Sequence, residues 1–360
     1  LVEHDGHGEE AMSGANTFGS RFRLTTFGES HGVGLGAVID GVPAGVKWDE
    51  DLLRGELKRR RPGQSSVVSA RNEQDEAEVL SGVFEKRTLG TPIAILVRNE
   101  DARSIDYKSI AKKPRAGHAD DQWKAKFGHS DSRGGGRSSG RETVSRVMGG
   151  AVAQMMLASM EYRVNVTGFA RAIGPFSLTS KEETAFDSLL RGKKTSYPTD
   201  SYVARFPAKA QQSKVRELLE AAKRDGKSYG GVAEIWIDGL PRGLGQPVFR
   251  KLKADLASAF MSLGATSGIE FGAGFSAVHA EGSVFHKNSS STGYGGIRGG
   301  ISTGERVVIR TAFKPTSSVL DVAKKGRHDP CIVPRAIPVL EAMTYLVLAD
   351  HALWKLTDSV

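Results

Sequence analysis

The chain is 360 residues long, 39% apolar and 25% charged, proportions that exclude a disordered or fibrous polypeptide. A formal net charge of +9 favours polyanionic partners, either nucleic acid or small phosphorylated and carboxylated ligands, but the 7% aromatic content is not interleaved with the arginines and argues against a base-stacking surface. The lone cysteine, Cys331, excludes an intrachain disulfide and a multi-cysteine zinc site and points to a reducing, cytoplasmic compartment.

Residues 1–11 are polar and acidic, lack the apolar stretch of a signal peptide and precede a candidate initiator, Met12. They read as a flexible or appended tail, with His4 and His7 solvated, and residues 12–360 read as one domain because no linker interrupts them. Strands are predicted at 21–27, 35–40 and 92–97, with a helical pattern over 49–61 stopped by Pro62. A helix over 141–160 has the clearest start: Ser139-Gly140-Arg141-Glu142 fits a capping box, and Val144, Val147, Met148, Ala151, Val152 and Met155 follow as a core stripe. Further strands are expected at 164–169, 232–237, 275–279 and 306–313, and further helices at 213–225 (closed by Gly226), 248–262 and 335–356. The longest apolar stretches, 147–160 and 337–348, are interrupted by Gln154 and Glu341 and fall short of a membrane span, so no membrane partner is expected. The order is mixed α and β, without the regular alternation of a doubly wound sheet.

Four segments offer chemistry. Gly134 to Ser139 runs into the capped helix start, so main-chain N–H groups, a helix N-terminus and Arg137 together suit a phosphate, although a flexible loop would read similarly. Lys58-Arg59-Arg60-Arg61 sits at a helix C-terminus, where the macrodipole alone favours cations. His31, in Gly28-Glu29-Ser30-His31-Gly32, and His118, in Gly117-His118-Ala119-Asp120, are each able to donate a proton near neutral pH; singly, each is as readily a structural histidine. Lys314 to Ser318 and Gly326 to Cys331 place hydroxyls and cations in loops, where binding residues concentrate. No metal constellation, P-loop, nucleophile elbow or dinucleotide fingerprint is present.

Read in order, Thr25 to Gly32, Arg59 to Gly63, Gly117 to Asp120, Arg137 to Thr143, Lys314 to Ser318 and Arg327 to Cys331 resemble the chorismate synthase family, over essentially 14–356. The resemblance implies an α+β fold, a β-α-β sandwich with a helical layer between two four-stranded antiparallel sheets, assembled as a homotetramer. It implies a lyase that eliminates phosphate 1,4-anti from 5-enolpyruvylshikimate 3-phosphate to give chorismate, requiring reduced FMN without net redox change, with NADPH a candidate source of reduction. By motif position, His31 corresponds to the acid for the departing phosphate, His118 to the partner of the reduced flavin, and Asp329 to the carboxylate that helps flavin N5 accept the substrate's C6 proton. Arg60 and Arg137 correspond to substrate cations. Arg137, Ser138, Ser139, Gly264, Ala265, Gly299, Lys314, Pro315, Thr316, Ser317, Ser318 and Arg327 correspond to FMN contacts.

Two positions depart from the family pattern: Ser66 stands where an arginine is common, with Arg71 nearby, and Ala116 stands where a proline often precedes the Gly-His-Ala-Asp string. The connection from Ser318 to Lys325 is short for the family. The alternatives to be separated are an FMN-dependent oxidoreductase and a basic nucleic-acid-binding protein, the latter betrayed by salt-dependent retention on DNA without activity.

Overall fold

The structure, a computed structural model, describes residues 14–62, 74–99, 117–131, 133, 135–192, 197–288, 293–317, 319 and 329–358. The tail 1–11, Gly63, Ser66, Arg71, Ala116, Gly134, Ser318, Arg327 and His328 lie outside those residues.

Two antiparallel sheets carry the fold. The first orders β1 (Thr17–Phe18), β2 (Arg23–Phe27), β3 (Gly34–Asp40), β7 (Ile93–Arg98) and β4 (Ala77–Val79) as β1-β2-β3-β7-β4. Its register pairs Leu24 with Ile39 and Leu35 with Val97, so that alternate apolar side chains (Leu24, Leu35, Ala37, Ile39, Ile93, Ile95, Val97) enter one core face. A small hairpin, β5 (Val83–Phe84) with β6 (Arg87–Thr88), sits between β4 and β7 in the chain.

The second sheet orders β11 (Thr266–Phe271), β14 (Val307–Phe313), β10 (Gly231–Asp238), β8 (Asn165–Ile173) and β9 (Phe176–Ser177) as β11-β14-β10-β8-β9, and a further hairpin pairs β12 (Ile297–Arg298) with β13 (Ile301–Ser302). Among the described residues each main sheet therefore has five strands, not the expected four. The difference lies in the two-residue edge strands β1 and β9, too short to show a pattern in the sequence.

The α-helices among the described residues are α1 (Glu50–Arg60), α2 (Asp120–Phe127), α3 (Thr143–Ser159), α4 (Ser180–Gly192), α5 (Gln212–Asp225), α6 (Leu252–Met261), α7 (Gly282–Asn288) and α8 (Val333–Lys355). Helix α3 packs on β2 and β3, α8 packs on β8 and β10, and α3 and α8 pack on each other. The contact between them is close because Gly150 offers no side chain: a Cβ there would stand 2.5 Å from the Cβ of Ala342. The predicted stripe of α3 is fully inside, Val144, Val147, Met148, Ala151 and Val152 all being 0% exposed.

Three expectations are corrected. Residues 275–279 form no strand but part of a 3-10 helix, Gly274–His279, whose Phe275 and Val278 face outward, so the alternation there reflected no sheet face. The capping box is incomplete: the Ser139 hydroxyl accepts from the Arg141 N–H at a 3-10 turn (Gly140–Glu142), while Glu142 pairs forward with Arg146 at 3.0 Å. Helix α8 is longer than the predicted apolar stretch and has the length and apolarity of a membrane-crossing helix, but 89% of that window is buried inside the protein, the setting of a core helix. Its Glu341 is tolerated there because it accepts from the Gly168 N–H (2.8 Å) and from Arg59 (2.6 Å), which joins α8 to β8 and α1.

Candidate active site

A cavity of about 690 Å³ opens where the N-terminal turns of α3 and α8, the C-terminal end of α1, the connection from α6 to β11 and the segment after β14 converge. Two helix N-termini thus aim partial positive charge into one space. Arg60, Arg137, Arg141, Arg146, Lys314 and Arg335 line it, against the carboxylates of Glu142 and Asp329. Leu263, Pro315, Ile332, Val339 and Met343 supply an apolar wall.

Helix α1 delivers one residue of its cationic run to this space. Arg59 turns away into a buried network with Glu56, Asp200 and Glu341, and Arg61 reaches the Gln74 backbone carbonyl and side-chain amide oxygen. Arg60, 1% exposed, lines the cavity and donates to Asp75 at 2.5 Å. Asp75 is buried behind the wall and also accepts from Arg141. Burial is the largest influence on both groups. It depresses the proton affinity of Arg60, and the neighbouring Arg335 and Arg141 charges add to that against the pull of Asp75. For Asp75 burial acts upward, but Arg60 and Arg141 outweigh it and hold the carboxyl below its ordinary range. Asp75 thus pairs with both guanidiniums and holds them side by side.

The glycine-rich loop is built more tightly than a free cradle. Gly135 and Gly136 take φ of 89° and 52° to start a 3-10 turn (Gly136–Ser138), and the Ser138 hydroxyl donates to the Gly135 carbonyl at 2.6 Å. Arg137 lines the cavity while donating to the Thr26 hydroxyl at 2.5 Å and to the Gly28 carbonyl at 3.2 Å, which fastens the 28–32 loop to the rim. Gly28 has φ 90°, and a Cβ there would lie 2.2 Å from the Gly34 carbonyl oxygen, so only glycine lets the chain double back into β3.

Opposite, Lys314 donates to the Gly117 carbonyl at 3.0 Å and so ties the His118 segment to the end of β14. Asp329 is held by Arg335 at 2.6 Å, and its own carbonyl accepts from the Thr316 hydroxyl at 3.1 Å. Cys331, next to this loop, is buried and its thiol is pushed up to about 12, chiefly by burial, which fits a structural residue.

Of the residues singled out in the sequence, the structure brings Arg60, His118, Arg137 to Ser139, Gly264, Ala265, Lys314 to Ser317 and Asp329 to this one cavity, from six separate stretches of chain. His31 does not line it: 7% exposed, its Nδ1 lies 3.0 Å from the Ser30 hydroxyl, which is also near the Arg133 carbonyl. On that side Asp131 is held below the ordinary carboxylate range, chiefly by the hydrogen bond from Arg133, with a smaller contribution from His31. Gly299 lies in the turn between β12 and β13, also away from the cavity lining. Sequence reasoning missed Asp75, Arg146 and Arg335, and quoted Arg141 without a role. Arg335, four residues after Cys331 on the predicted helix, was the one that helical spacing could have offered as a companion to the 327–331 motif.

Two antiparallel sheets with packed helices and an arginine-lined, half-apolar cleft at the helix N-termini are the setting of a protein that binds small ligands carrying several negative charges. Residues 22–353 match the chorismate synthase family model. A chorismate synthase of Bdellovibrio bacteriovorus is 61% identical over 349 residues, 96% of this chain and 99% of its own length. One of Synechocystis sp. is 45% identical over 361 residues, 94% and 97% of the two chains. A crystal structure of chorismate synthase superposes with a TM-score of 0.75 at 31% identity, with 94% of each chain covered. The chain belongs to the chorismate synthase family, and its activity is that of a lyase.

Proposed function

We propose that the cleft binds 5-enolpyruvylshikimate 3-phosphate together with reduced FMN and eliminates phosphate 1,4-anti to give chorismate. The observation that carries this reading is the lining of the cleft, where Arg60, Arg137, Arg141, Arg146, Lys314 and Arg335 meet in one cavity with the carboxylates of Glu142 and Asp329. Such a lining suits a polyanion, and the phosphate and two carboxylates of that substrate supply the negative charge. Hydrogen bonds to charged groups contribute about 1.5–3 kcal/mol each, so a few of these guanidiniums suffice to hold it.

The residues also suit the flavin. Arg137, Ser138, Ser139, Lys314, Thr316 and Ser317 offer donors for its phosphate and polar edge, and Leu263, Ile332, Val339 and Met343 an apolar wall for its ring. When bound, reduced FMN supplies the electron-rich partner that makes loss of the allylic phosphate feasible with no net redox change. Within the chain, His31 donates the proton to the departing phosphate, His118 holds a proton at the flavin, and Asp329, oriented by Arg335, is the carboxylate that would help flavin N5 accept the proton lost from C6. Ser318, Arg327 and Gly299 are assigned to the flavin by motif position. NADPH is the proposed source of reduction, residues 12–360 one catalytic domain, and the cytoplasm its compartment, with neither nucleic acid nor membrane as partner. The packing of α3 and α8 on each other and on separate sheets supports a β-α-β sandwich. Assembly as a homotetramer is supported by outward apolar residues such as Phe275 and Val278, each 76% exposed.

The test is anaerobic incubation with reduced FMN and the enolpyruvyl phosphate. Phosphate should appear without stoichiometric flavin oxidation; matched oxidation would assign an oxidoreductase, and no phosphate would remove the lyase reading of this cleft. In the same assay, His31→Ala and Asp329→Ala are each expected to lower turnover by ~10²-fold or more. Wild-type turnover in a folded variant would remove the role given to that residue.

A further inference from the structure

His31 stands outside the cavity lining, yet its loop is tied to the cavity wall, at Gly28 by Arg137 and at Glu29 and Gly32 by Asn99. Asn99 follows the last residue of β7, and its main-chain N–H donates to the Val33 carbonyl at 3.0 Å. Its Nδ2 donates to the carbonyls of Glu29 (3.2 Å) and Gly32 (2.9 Å), the two residues that close the turn around His31 through their own 3.1 Å hydrogen bond. Its Oδ1 accepts from the Nε of Arg141 at 3.1 Å. The amide orientation is fixed by this surrounding, since two carbonyls require the donor side and a guanidinium the acceptor side. From Arg141 the chain of bonds continues to Asp75 and on to Arg60.

We propose that Asn99 is a positioning residue that sets the His31 turn at a fixed place relative to the Arg141–Asp75–Arg60 row. The proposal rests on the reading of His31 as the acid for the leaving phosphate. An amide is suited to the task because it is the short neutral side chain that donates twice and accepts at once; a carboxylate repels both carbonyls, and an aliphatic residue satisfies none of the three partners. Placement matters at this scale, since an error of about 1 Å in a reacting group costs on the order of 10²-fold in rate.

Asn99→Asp keeps the size and the acceptor for Arg141 but removes the donors to Glu29 and Gly32. It should lower kcat by ~10-fold or more while the KM for the phosphorylated substrate changes by less than about threefold, because the guanidinium row is retained. In a His31→Ala background the same substitution should lower kcat by less than about twofold further, since the group it positions is gone. A general structural defect would instead multiply the two losses. Multiplied losses, or wild-type kcat in Asn99→Asp, overturn the proposal while leaving His31 in its role. Wild-type turnover in His31→Ala overturns both. Thermal melting confirms that each variant is folded; if Asn99→Asp is not, the cycle is run with Asn99→Ala, which brings no charge to the two carbonyls, with the same non-multiplying losses expected.

Discussion

Asp75 holds a backbone angle, φ 52°, that a residue with a side chain seldom adopts, and does so while buried at 5% exposure between two guanidiniums. The surrounding bonds over-determine it: removing a partner from a buried pair costs about 3–5 kcal/mol, more than the about 1–3 kcal/mol of such a backbone strain. Asp75→Asn should therefore destabilise the protein near neutral pH and raise the substrate constant as Arg60 and Arg141 lose their anchor. The pH dependence has a definite sign. The folded carboxyl titrates below its unfolded value, so its contribution is complete above that unfolded value, about 3.9, and is lost as pH falls through the depressed folded one. In denaturant titrations, the stability gap between wild type and Asp75→Asn should be constant from pH 7 to about 5 and shrink below about 4. A gap unchanged into acid would deny the carboxylate its charged role.

Helices α3 and α8 carry the site at their first turns, so whatever fixes their separation fixes the cleft. Gly150 is that point, with the Cα of Ala342 only 2.6 Å from where a Cβ would be. Gly150→Ala would gain about 1 kcal/mol of helix propensity, but the overlap involves backbone that has nowhere to yield in a close-packed core, and overpacking costs about 1–3 kcal/mol or more. The expected net result is a lower denaturation midpoint together with a weaker substrate constant, because the two N-terminal turns splay. Stability equal to or above wild type would show that the helix pair has room this geometry denies it.

At the scale of the molecule, the second sheet ends on β11, and the chain that follows turns Phe275, Val278 and Val284 outward at 76%, 76% and 55% exposure. Isolated exposed apolar residues are ordinary, but several within one short stretch beside a sheet edge motivate the proposal of a surface covered on assembly. Phe275→Asp with Val278→Asp should reduce the sedimenting mass toward that of a single chain; an unchanged mass would place the interface elsewhere. Of the cations behind the net charge of +9, six among the described residues line the cleft: Arg60, Arg137, Arg141, Arg146, Lys314 and Arg335.

Local chemistry was enough to read much of this from sequence. Alternation located the core strands β2, β3, β7, β8, β10 and β14, and helical spacing located α1, α3, α5, α6 and α8, because burial of one face imposes its period on the residues. The ordered motifs gathered most of the cavity lining, since glycines, hydroxyls and arginines around a polyanion are each constrained by what they must touch. Short edge strands and the outward 3-10 turn at 274–279 were not legible, for they bury too little to leave a period. Motif position alone singled out Arg60 over Arg59, and spacing could not: neighbours on one helix turn, about 100° apart, they enter different networks, Arg59 with Glu341 and Asp200, Arg60 with Asp75. Composition and motif order determined the family and the charge of the ligand. Only the tertiary structure decided that Arg60 and Arg141 share Asp75, and that the turn around His31 is joined to them through Asn99, because those pairings join residues 15 to 70 positions apart whose contact depends on how the sheets and helices pack.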